Sequence, residues 1–146
     1  MGTGSAVRHG ASGGLRLLVV DADPLQASAL AMLLQEEGFD AKWASPWHAV
    51  AESVRYSLDA IILDVDMPGL NGTDVLTRLR ERDPQLPAVV TSGLPREDQR
   101  IMAAMALPAV SYLCKPINLR RLLGCLDGVV ESLGHSRRLA RRPTNI

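Results

Sequence analysis

Short apolar runs alternate with longer amphipathic stretches along most of the 146-residue chain. The apolar runs predict five β-strands, at Leu15–Val20, Asp40–Ser45, Ala60–Leu63, Ala88–Thr91 and Val110–Cys114. The stretches between them carry apolar side chains at helical spacing, which predicts helices that begin at Pro24 and Pro46 and helices over Thr73–Asp83, Pro95–Leu107 and Ile117–Leu133. The strand at 60–63 is apolar at every position, as expected for a strand that is covered on both faces of its sheet.

Five strand–helix units in succession predict an α/β fold. Parallel strands joined by right-handed helical crossovers form an open sheet with helices on both faces, so we expect a doubly wound, five-stranded parallel sheet. The predicted domain covers 15–133. Before it lies a small, Gly-rich lead, 1–14, and after it a tail, 134–146, that holds four arginines.

Composition supports a folded domain. Hydrophobic residues make up 47% of the chain, which excludes disorder over its whole length, and the 3% aromatic content predicts an aliphatic core. No uncharged apolar run approaches the roughly 18–20 residues that cross a bilayer, and the N-terminus lacks the apolar stretch of a signal peptide. We therefore expect a soluble, cytoplasmic protein.

Polar side chains follow four of the five predicted strands. They are Asp21 and Asp23 after the first strand, Asp64 and Asp66 after the third, Ser92 after the fourth and Lys115 after the fifth. Because ligands of open α/β sheets bind at the carboxyl ends of the strands, this pattern predicts a functional site at one edge of the sheet.

The residue types in this cluster indicate a particular chemistry. Several carboxylates at one sheet edge repel one another, and a cation relieves that repulsion. Carboxylate and carbonyl oxygens suit Mg²⁺ or Mn²⁺ rather than Zn²⁺. A lysine and a hydroxyl beside the cation supply the charge and the hydrogen bond that phosphoryl transfer to a carboxylate requires.

At this point the chain resembles the receiver domain of two-component response regulators, which has the CheY-like, flavodoxin-like (βα)5 fold. The resemblance covers 15–133. It rests on four segments in the family's order, namely LLVVDADP at 17–24, IILDVDMPGLNG at 61–72, PAVVTSG at 87–93 and YLCKP at 112–116.

The resemblance implies a role for each matching residue. Asp64 is the expected phosphoacceptor, and Asp66 stands where a backbone carbonyl usually completes the metal shell. Ser92 takes the position of the switch hydroxyl, and Lys115 that of the family's lysine. Tyr112 matches the aromatic residue that moves inward on activation.

The chain departs from the family pattern after the first strand. Ala22 replaces the acid that normally ligates the metal, and Asp21 matches an acid that usually acts through water. Asp23 is a further candidate ligand, although its place before Pro24 favours a helix-capping role. We therefore expect a weakened Mg²⁺ site. The segment 107–109 also departs from the family, which often has Gly-Ala there, whereas Pro116 matches a common cis-peptide position.

The resemblance implies that a histidine kinase or a phosphotransfer protein supplies the phosphoryl group. A downstream protein then reads the face formed by the fourth helix, the fifth strand and the fifth helix. Because 134–146 is too short for a helix-turn-helix output domain, we expect either a single-domain regulator or a fragment of a longer chain. We do not expect an enzyme. We do not expect a membrane or nucleic-acid partner, since the arginines of the tail have no interleaved aromatic residues.

Two other functions stay open at this stage. In the first, the chain is a pseudo-receiver in which Ala22 impairs Mg²⁺ binding and phosphorylation, and it acts as a docking module. In the second, the chain is a phosphatase of the haloacid-dehalogenase type, because Asp21 and Asp23 match a D-x-D nucleophile motif. Pro24 and Leu25 follow where that family has a Thr or Val.

Overall fold

The computed structural model of the chain describes residues 14–67 and 71–141. The strands are β1 (Arg16–Val20), β2 (Asp40–Ala44), β3 (Ala60–Asp64), β4 (Ala88–Ser92) and β5 (Val110–Cys114). The helices are α1 (Pro24–Glu36), α2 (Pro46–Arg55), α3 (Gly72–Arg80), α4 (Gln99–Met105) and α5 (Leu119–Arg141). The strands and helices alternate without a break, as the sequence predicts.

The five strands form one parallel sheet in the order β2-β1-β3-β4-β5. The predicted fold class is therefore confirmed. The chain reverses its direction of winding between β1 and β3, and this reversal is where open α/β sheets open a crevice at their carboxyl edge. The strands that bear acids at their ends, β1 and β3, are direct neighbours across it.

An aliphatic core covers both faces of the sheet. On β3, Ile62 packs on the side covered by α1 and α5, whereas Ile61 and Leu63 pack on the side of α2 and α3. The alternation follows from the two-residue period of a strand. Because both faces are covered, every residue of β3 is buried, including Asp64 at its end.

Helix α1 begins at Pro24, as the sequence predicts. The Asp23 side chain accepts a hydrogen bond from the Leu25 amide at 3.0 Å, and Pro24 is the first helical residue. After the helix, Gly38 adopts a φ of 101°, a left-handed conformation that glycine takes without a Cβ clash.

Helix α4 is shorter than predicted, and its expected start at Pro95 is wrong. Residues 95–98 form a turn in which the Asp98 amide donates to the Pro95 carbonyl. The Asp98 carboxylate then caps the helix by accepting from the Arg100 amide at 2.9 Å. The helix ends at Met105, and Ala109, after Pro108, has a left-handed φ of 56°.

The other boundaries differ modestly. Helix α3 ends at Arg80 instead of Asp83, and α5 starts two residues later than predicted and continues to Arg141. Part of the predicted basic tail, 134–141, is therefore helical. The predicted lead, except for Gly14, and the end of the tail, 142–146, lie outside the described residues, as does 68–70. None of the described helices is long and apolar enough to traverse a bilayer.

Candidate functional site

The fold brings the predicted polar residues together at the carboxyl edge of the sheet. Lys115, after β5, places its Nζ atom 2.9 Å from Asp64 Oδ2 and 3.5 Å from Asp21 Oδ2. The two carboxylates belong to the neighbouring strands β3 and β1. Asp64 is 5% exposed and Asp21 is 9% exposed, so one ammonium group pairs with two nearly buried carboxylates.

Short turns hold each carboxylate in place. Asp64 Oδ1 accepts a hydrogen bond from the Asp66 amide at 2.9 Å, and Asp21 Oδ1 accepts one from the Asp23 amide at the same distance. In both turns the aspartate side chain accepts a hydrogen bond from the backbone amide two residues ahead, which is common for aspartate in turns. Each carboxylate thus keeps its second oxygen directed at Lys115.

Burial and charge at the site shift the pKa values of Asp21 and Lys115. Burial raises the pKa of Asp21; the Asp64 charge adds to this, and the Asp23 amide and Lys115 oppose it. Burial alone would lower the pKa of Lys115, but its hydrogen bond to Asp64 and the charges of Asp64 and Asp21 raise it. Lys115 is therefore a fixed positive charge at neutral pH.

The carboxylate of Asp66 makes contacts that the sequence analysis missed. Its Oδ1 accepts from the Ser92 hydroxyl at 2.7 Å, and its Oδ2 accepts from the Gly93 amide at 2.8 Å. The resemblance implies only a backbone role for Asp66. Ser92 and Gly93 lie 26 and 27 residues after Asp66 in the sequence. A local sequence pattern does not predict contacts over such separations.

A chain of hydrogen bonds runs from Asp66 to Tyr112. The Ser92 Oγ atom accepts from the Leu94 amide at 2.8 Å, and the Leu94 carbonyl accepts from the Tyr112 hydroxyl at 3.0 Å. The Arg96 guanidinium lies 5.6 Å from the centre of the Tyr112 ring. Ser92 and Tyr112 are thus connected through one residue of the loop after β4.

Two residues of the first helix complete the surroundings of Lys115. Asp23 directs Oδ1 to the Leu25 amide, which is the capping role that the sequence favours. Gln26, which the sequence analysis missed, accepts from Lys115 Nζ through Oε1 at 3.3 Å. Its position one turn after the acidic Asp21–Asp23 turn is the one local signal that it lies near the site.

Gly72, the first residue of α3, lies close to the backbone at the end of β3. An added Cβ would lie 2.9 Å from the Val65 Cα atom and 3.1 Å from the Asp64 carbonyl oxygen, and both of these are backbone atoms. On the opposite side of the site, the Lys115–Pro116 peptide bond is cis, as the resemblance implies.

The residues present fit a divalent cation of the magnesium type in part. Asp21 and Asp64 converge on Lys115, and their carboxylate oxygens are hard ligands of the kind that Mg²⁺ takes. Within 14–67 and 71–141, no group of three or more acidic, histidine or cysteine side chains could hold a metal ion. The resemblance implies an acid at position 22, where this chain has Ala22.

The sequence matches the family described as response regulator receiver domain over residues 17–127, more than half of the chain. The chain belongs to the response regulator receiver family. Receiver domains generally bind Mg²⁺ at an acidic pocket, interact with histidine kinases and downstream effectors, and typically act in signalling rather than catalysis. Asp23, one half of the D-x-D motif behind the phosphatase alternative, caps α1.

Curated relatives include two transcription and signalling proteins of mycobacteria. The receiver is 36% identical over 126 residues to the transcriptional regulatory protein TcrA of Mycobacterium tuberculosis, covering 86% of this chain and 49% of that protein. It is 32% identical over 119 residues to the sensory transduction protein RegX3 of Mycobacterium bovis, covering 81% of this chain and 52% of that protein. The chain thus spans about half the length of these relatives.

Solved structures share the fold. A CheY-like response regulator receiver domain protein from Methanospirillum hungatei superimposes with a TM-score of 0.75 at 20% identity, covering 84% of this chain and 98% of that chain. NtrX from Brucella abortus superimposes with a TM-score of 0.77 at 24% identity, covering 87% of this chain and 29% of that chain. At these identities the likeness supports the fold alone.

Proposed function

We propose that this receiver accepts a phosphoryl group on Asp64 from a phosphohistidine of a histidine kinase or a phosphotransfer protein. The observation that carries the proposal is the pairing of a nearly buried carboxylate with Lys115 Nζ at 2.9 Å, at the edge of the sheet where the Ser92 hydroxyl also lies. A carboxylate is a competent phosphoryl acceptor when fixed positive charge and hydrogen-bond donors surround the transferred group.

The proposed transfer exchanges a P–N bond of the donor for a P–O bond to Asp64. An Asp64 carboxylate oxygen attacks phosphorus, and the P–N bond to the donor histidine breaks as the new P–O bond forms. The other ring nitrogen of the phosphohistidine carries a proton, so the histidine leaves as a neutral imidazole. Lys115 stabilises the charge on the transferred group. The Ser92 hydroxyl and the Gly93 amide donate to its oxygens once they are released from Asp66.

Asp21, Asp64 and the Asp66 carbonyl would hold a Mg²⁺ ion in this proposal. The ion would neutralise part of the negative charge that gathers on the phosphoryl oxygens. With Ala22 in place of a third carboxylate, we propose weaker Mg²⁺ binding than two adjacent acids would give. Asp23 does not compensate while its Oδ1 caps α1.

A groove beside the site suits a protein donor. Its volume is about 620 Å³, and it lies between α1 and the segment after β5, with Asp21 and Lys115 at its polar end. Leu30 and Leu33 line its apolar wall, and Leu33 is 43% exposed. An exposed apolar rim next to the acceptor favours a protein surface over a small molecule as the partner.

The output surface in this proposal is the face formed by α4, β5 and α5. Tyr112 on β5 is tied to Ser92 through Leu94, so a change at the Ser92 hydroxyl reaches this face through two hydrogen bonds. Met102 and Met105 of α4 are 59% and 41% exposed, and flexible, polarisable side chains of this kind suit contact with a partner protein. We propose that the receiver signals through such a partner in the cytoplasm.

The second candidate function is a docking module that is not phosphorylated. It is favoured by the observation that Lys115 already pairs with both carboxylates while position 22 offers no ligand. In this case the α4–β5–α5 face binds its partner without any change at Asp64.

Intact mass spectrometry after incubation with acetyl phosphate and Mg²⁺ tests the proposal. We expect a phosphoryl adduct on the parent protein and on Asp74→Asn, a matched change at an exposed acid of α3, but none on Asp64→Asn. Ala22→Asp should form the adduct faster at low Mg²⁺ concentration. An adduct on Ala22→Asp alone would favour the docking module, and an adduct on Asp64→Asn would place the acceptor elsewhere.

A further inference from the structure

Asp66 uses both oxygens of its side chain on the two donors at the end of β4. Its Oδ1 accepts from Ser92 at 2.7 Å, and its Oδ2 accepts from the Gly93 amide at 2.8 Å. Hydrogen bonds to an ionised acceptor at these lengths are among the stronger ones in proteins. Ser92 is 0% exposed, so its hydroxyl proton needs a partner inside the protein.

The same two donors lie at the end of the strand that pairs with the one bearing Asp64. Asp64 ends β3 and is paired in register with Thr91, the residue before Ser92. The Asp66 amide donates to Asp64 Oδ1 at 2.9 Å, so one tight turn puts the Asp66 side chain between the acceptor and the end of β4. Two anionic oxygens from this chain therefore occupy the donors that an incoming oxyanion needs.

We infer that the Asp66 carboxylate is a tethered competitor for the oxyanion pocket formed by Ser92, Gly93 and Lys115. It holds the Ser92 and Gly93 donors while Asp64 is unmodified, and it leaves them when an oxyanion binds on Asp64. The inference deepens the proposed function, on which it rests for the identity of the anion. It assigns Asp66 a positioning role that its backbone carbonyl does not provide.

A purely structural role for Asp66 makes a different prediction. If its carboxylate only ties the loop after β3 to the loop after β4, its removal loosens both loops and leaves anion binding unchanged or weaker. If it competes, its removal releases two donors and one negative charge, and anion binding becomes tighter. The direction of the change in affinity separates the two roles.

The competition also affects the first hydrogen bonds of the chain that leads from Asp66 to Tyr112. Ser92 Oγ accepts from the Leu94 amide and donates to Asp66, so replacing Asp66 by an oxyanion changes only the group that receives the hydroxyl proton. The accepted bond from Leu94 is kept if the hydroxyl stays in position. The Leu94 amide is therefore a local reporter of whether Ser92 moves when its partner changes.

Beryllofluoride, whose beryllium becomes tetrahedral when it bonds to a carboxylate oxygen, is a suitable probe. It is titrated with Mg²⁺ into the full chain while the Gly93 and Leu94 amide signals are followed by NMR. We expect about tenfold tighter binding for Asp66→Ala than for the parent, since two charge-assisted hydrogen bonds no longer have to be broken, and a smaller gain for Asp66→Asn, which keeps one acceptor. Glu97→Gln, which removes one charge from an exposed position of the loop after β4, should bind like the parent.

Equal or weaker binding by both Asp66 variants overturns the inference, and so does an absence of binding by Asp66→Ala. If Asp66→Ala fails to fold in a urea titration, the affinity of Asp66→Asn decides. The acetyl phosphate experiment separates this result from the proposed function. Tighter beryllofluoride binding with no phosphoryl adduct supports the competitor role and overturns phosphorylation, whereas adducts with unchanged beryllofluoride affinities do the opposite.

Discussion

Lys115 is expected to stabilise the fold as well as the site, and Lys115→Met tests this. The substitution keeps most of the side-chain volume and removes the positive charge between Asp64 and Asp21. The Lys115 side chain is 22% exposed, and its partners are 6% and 12% exposed, so water screens the cluster only partly. The variant leaves two neighbouring carboxylates without their counter-ion.

The expected magnitude follows from the distances. At an effective dielectric constant of about 20, charges at 2.9 Å and 3.5 Å attract by roughly 6 and 5 kcal/mol before the cost of burying them is counted. Desolvation cancels most of this, and breaking a fully buried pair costs about 3–5 kcal/mol. For this partly exposed cluster we expect Lys115→Met to lower the free energy of unfolding by about 2 kcal/mol at pH 7.

Urea denaturation of the parent, Lys115→Met and Lys42→Met measures the loss. Lys42 is the other lysine of the chain; it is exposed on β2 and lies 4.9 Å from the centre of the Tyr56 ring, so its substitution repeats the chemical change at a surface site. We expect Lys42→Met to cost less than about 1 kcal/mol. Equal losses for the two variants would refute the reasoning.

The pH dependence gives a second check on the same variant. Because the pKa of Lys115 is raised, its stabilising effect is complete below the ordinary value of 10.5 and is lost only as the pH rises through the higher value in the fold. Without Lys115, the already raised pKa of Asp21 rises further. The deficit of Lys115→Met should therefore shrink as the pH falls toward 3.8 and Asp21 gains a proton, and a deficit that stays constant down to that pH would contradict the electrostatic origin.

Three further substitutions have defined outcomes. Gly72→Ala places a Cβ 2.9 Å from the Val65 backbone, so we expect the free energy of unfolding in urea to fall by about 1–3 kcal/mol. We also expect a slower reaction with acetyl phosphate. An unchanged urea midpoint would show that the backbone shifts freely. Ala109→Gly relieves a left-handed φ of 56° and should raise the free energy of unfolding by about 0.5–1 kcal/mol; a loss would mean that the greater freedom of glycine in the unfolded chain outweighs the relief. Because burial raises the pKa of Asp21, ionisation of this carboxyl lowers the stability of the fold as the pH rises above 3.8. Asp21→Asn should therefore have a higher urea midpoint than the parent at pH 7, and the two midpoints should converge below about pH 3. A lower midpoint at pH 7 would mean that the attraction to Lys115 outweighs burial.

The amino-acid sequence by itself determined the fold class and the edge of the sheet where the site lies. The apolar runs differ in period from the amphipathic stretches, and these local periods specify strands, helices and the faces they bury. Asp23 before Pro24 specified the start of α1 for the same reason, because a cap depends on neighbouring residues. Placing Asp21, Asp64 and Lys115 together needed one further rule, that parallel strands end at the same edge.

The tertiary structure decided which donor each carboxylate takes. Asp66 bonds to Ser92 and Gly93, and Lys115 reaches Gln26, which is 89 residues away, through loops whose paths depend on how the strands are paired. It also decided the late start of α4, because Asp98 caps the helix only once residues 95–98 have turned. A local sequence pattern predicts the face of a strand or helix on which a side chain lies. The partner of a loop carboxylate depends on the register of distant segments, which folding alone brings within hydrogen-bond distance.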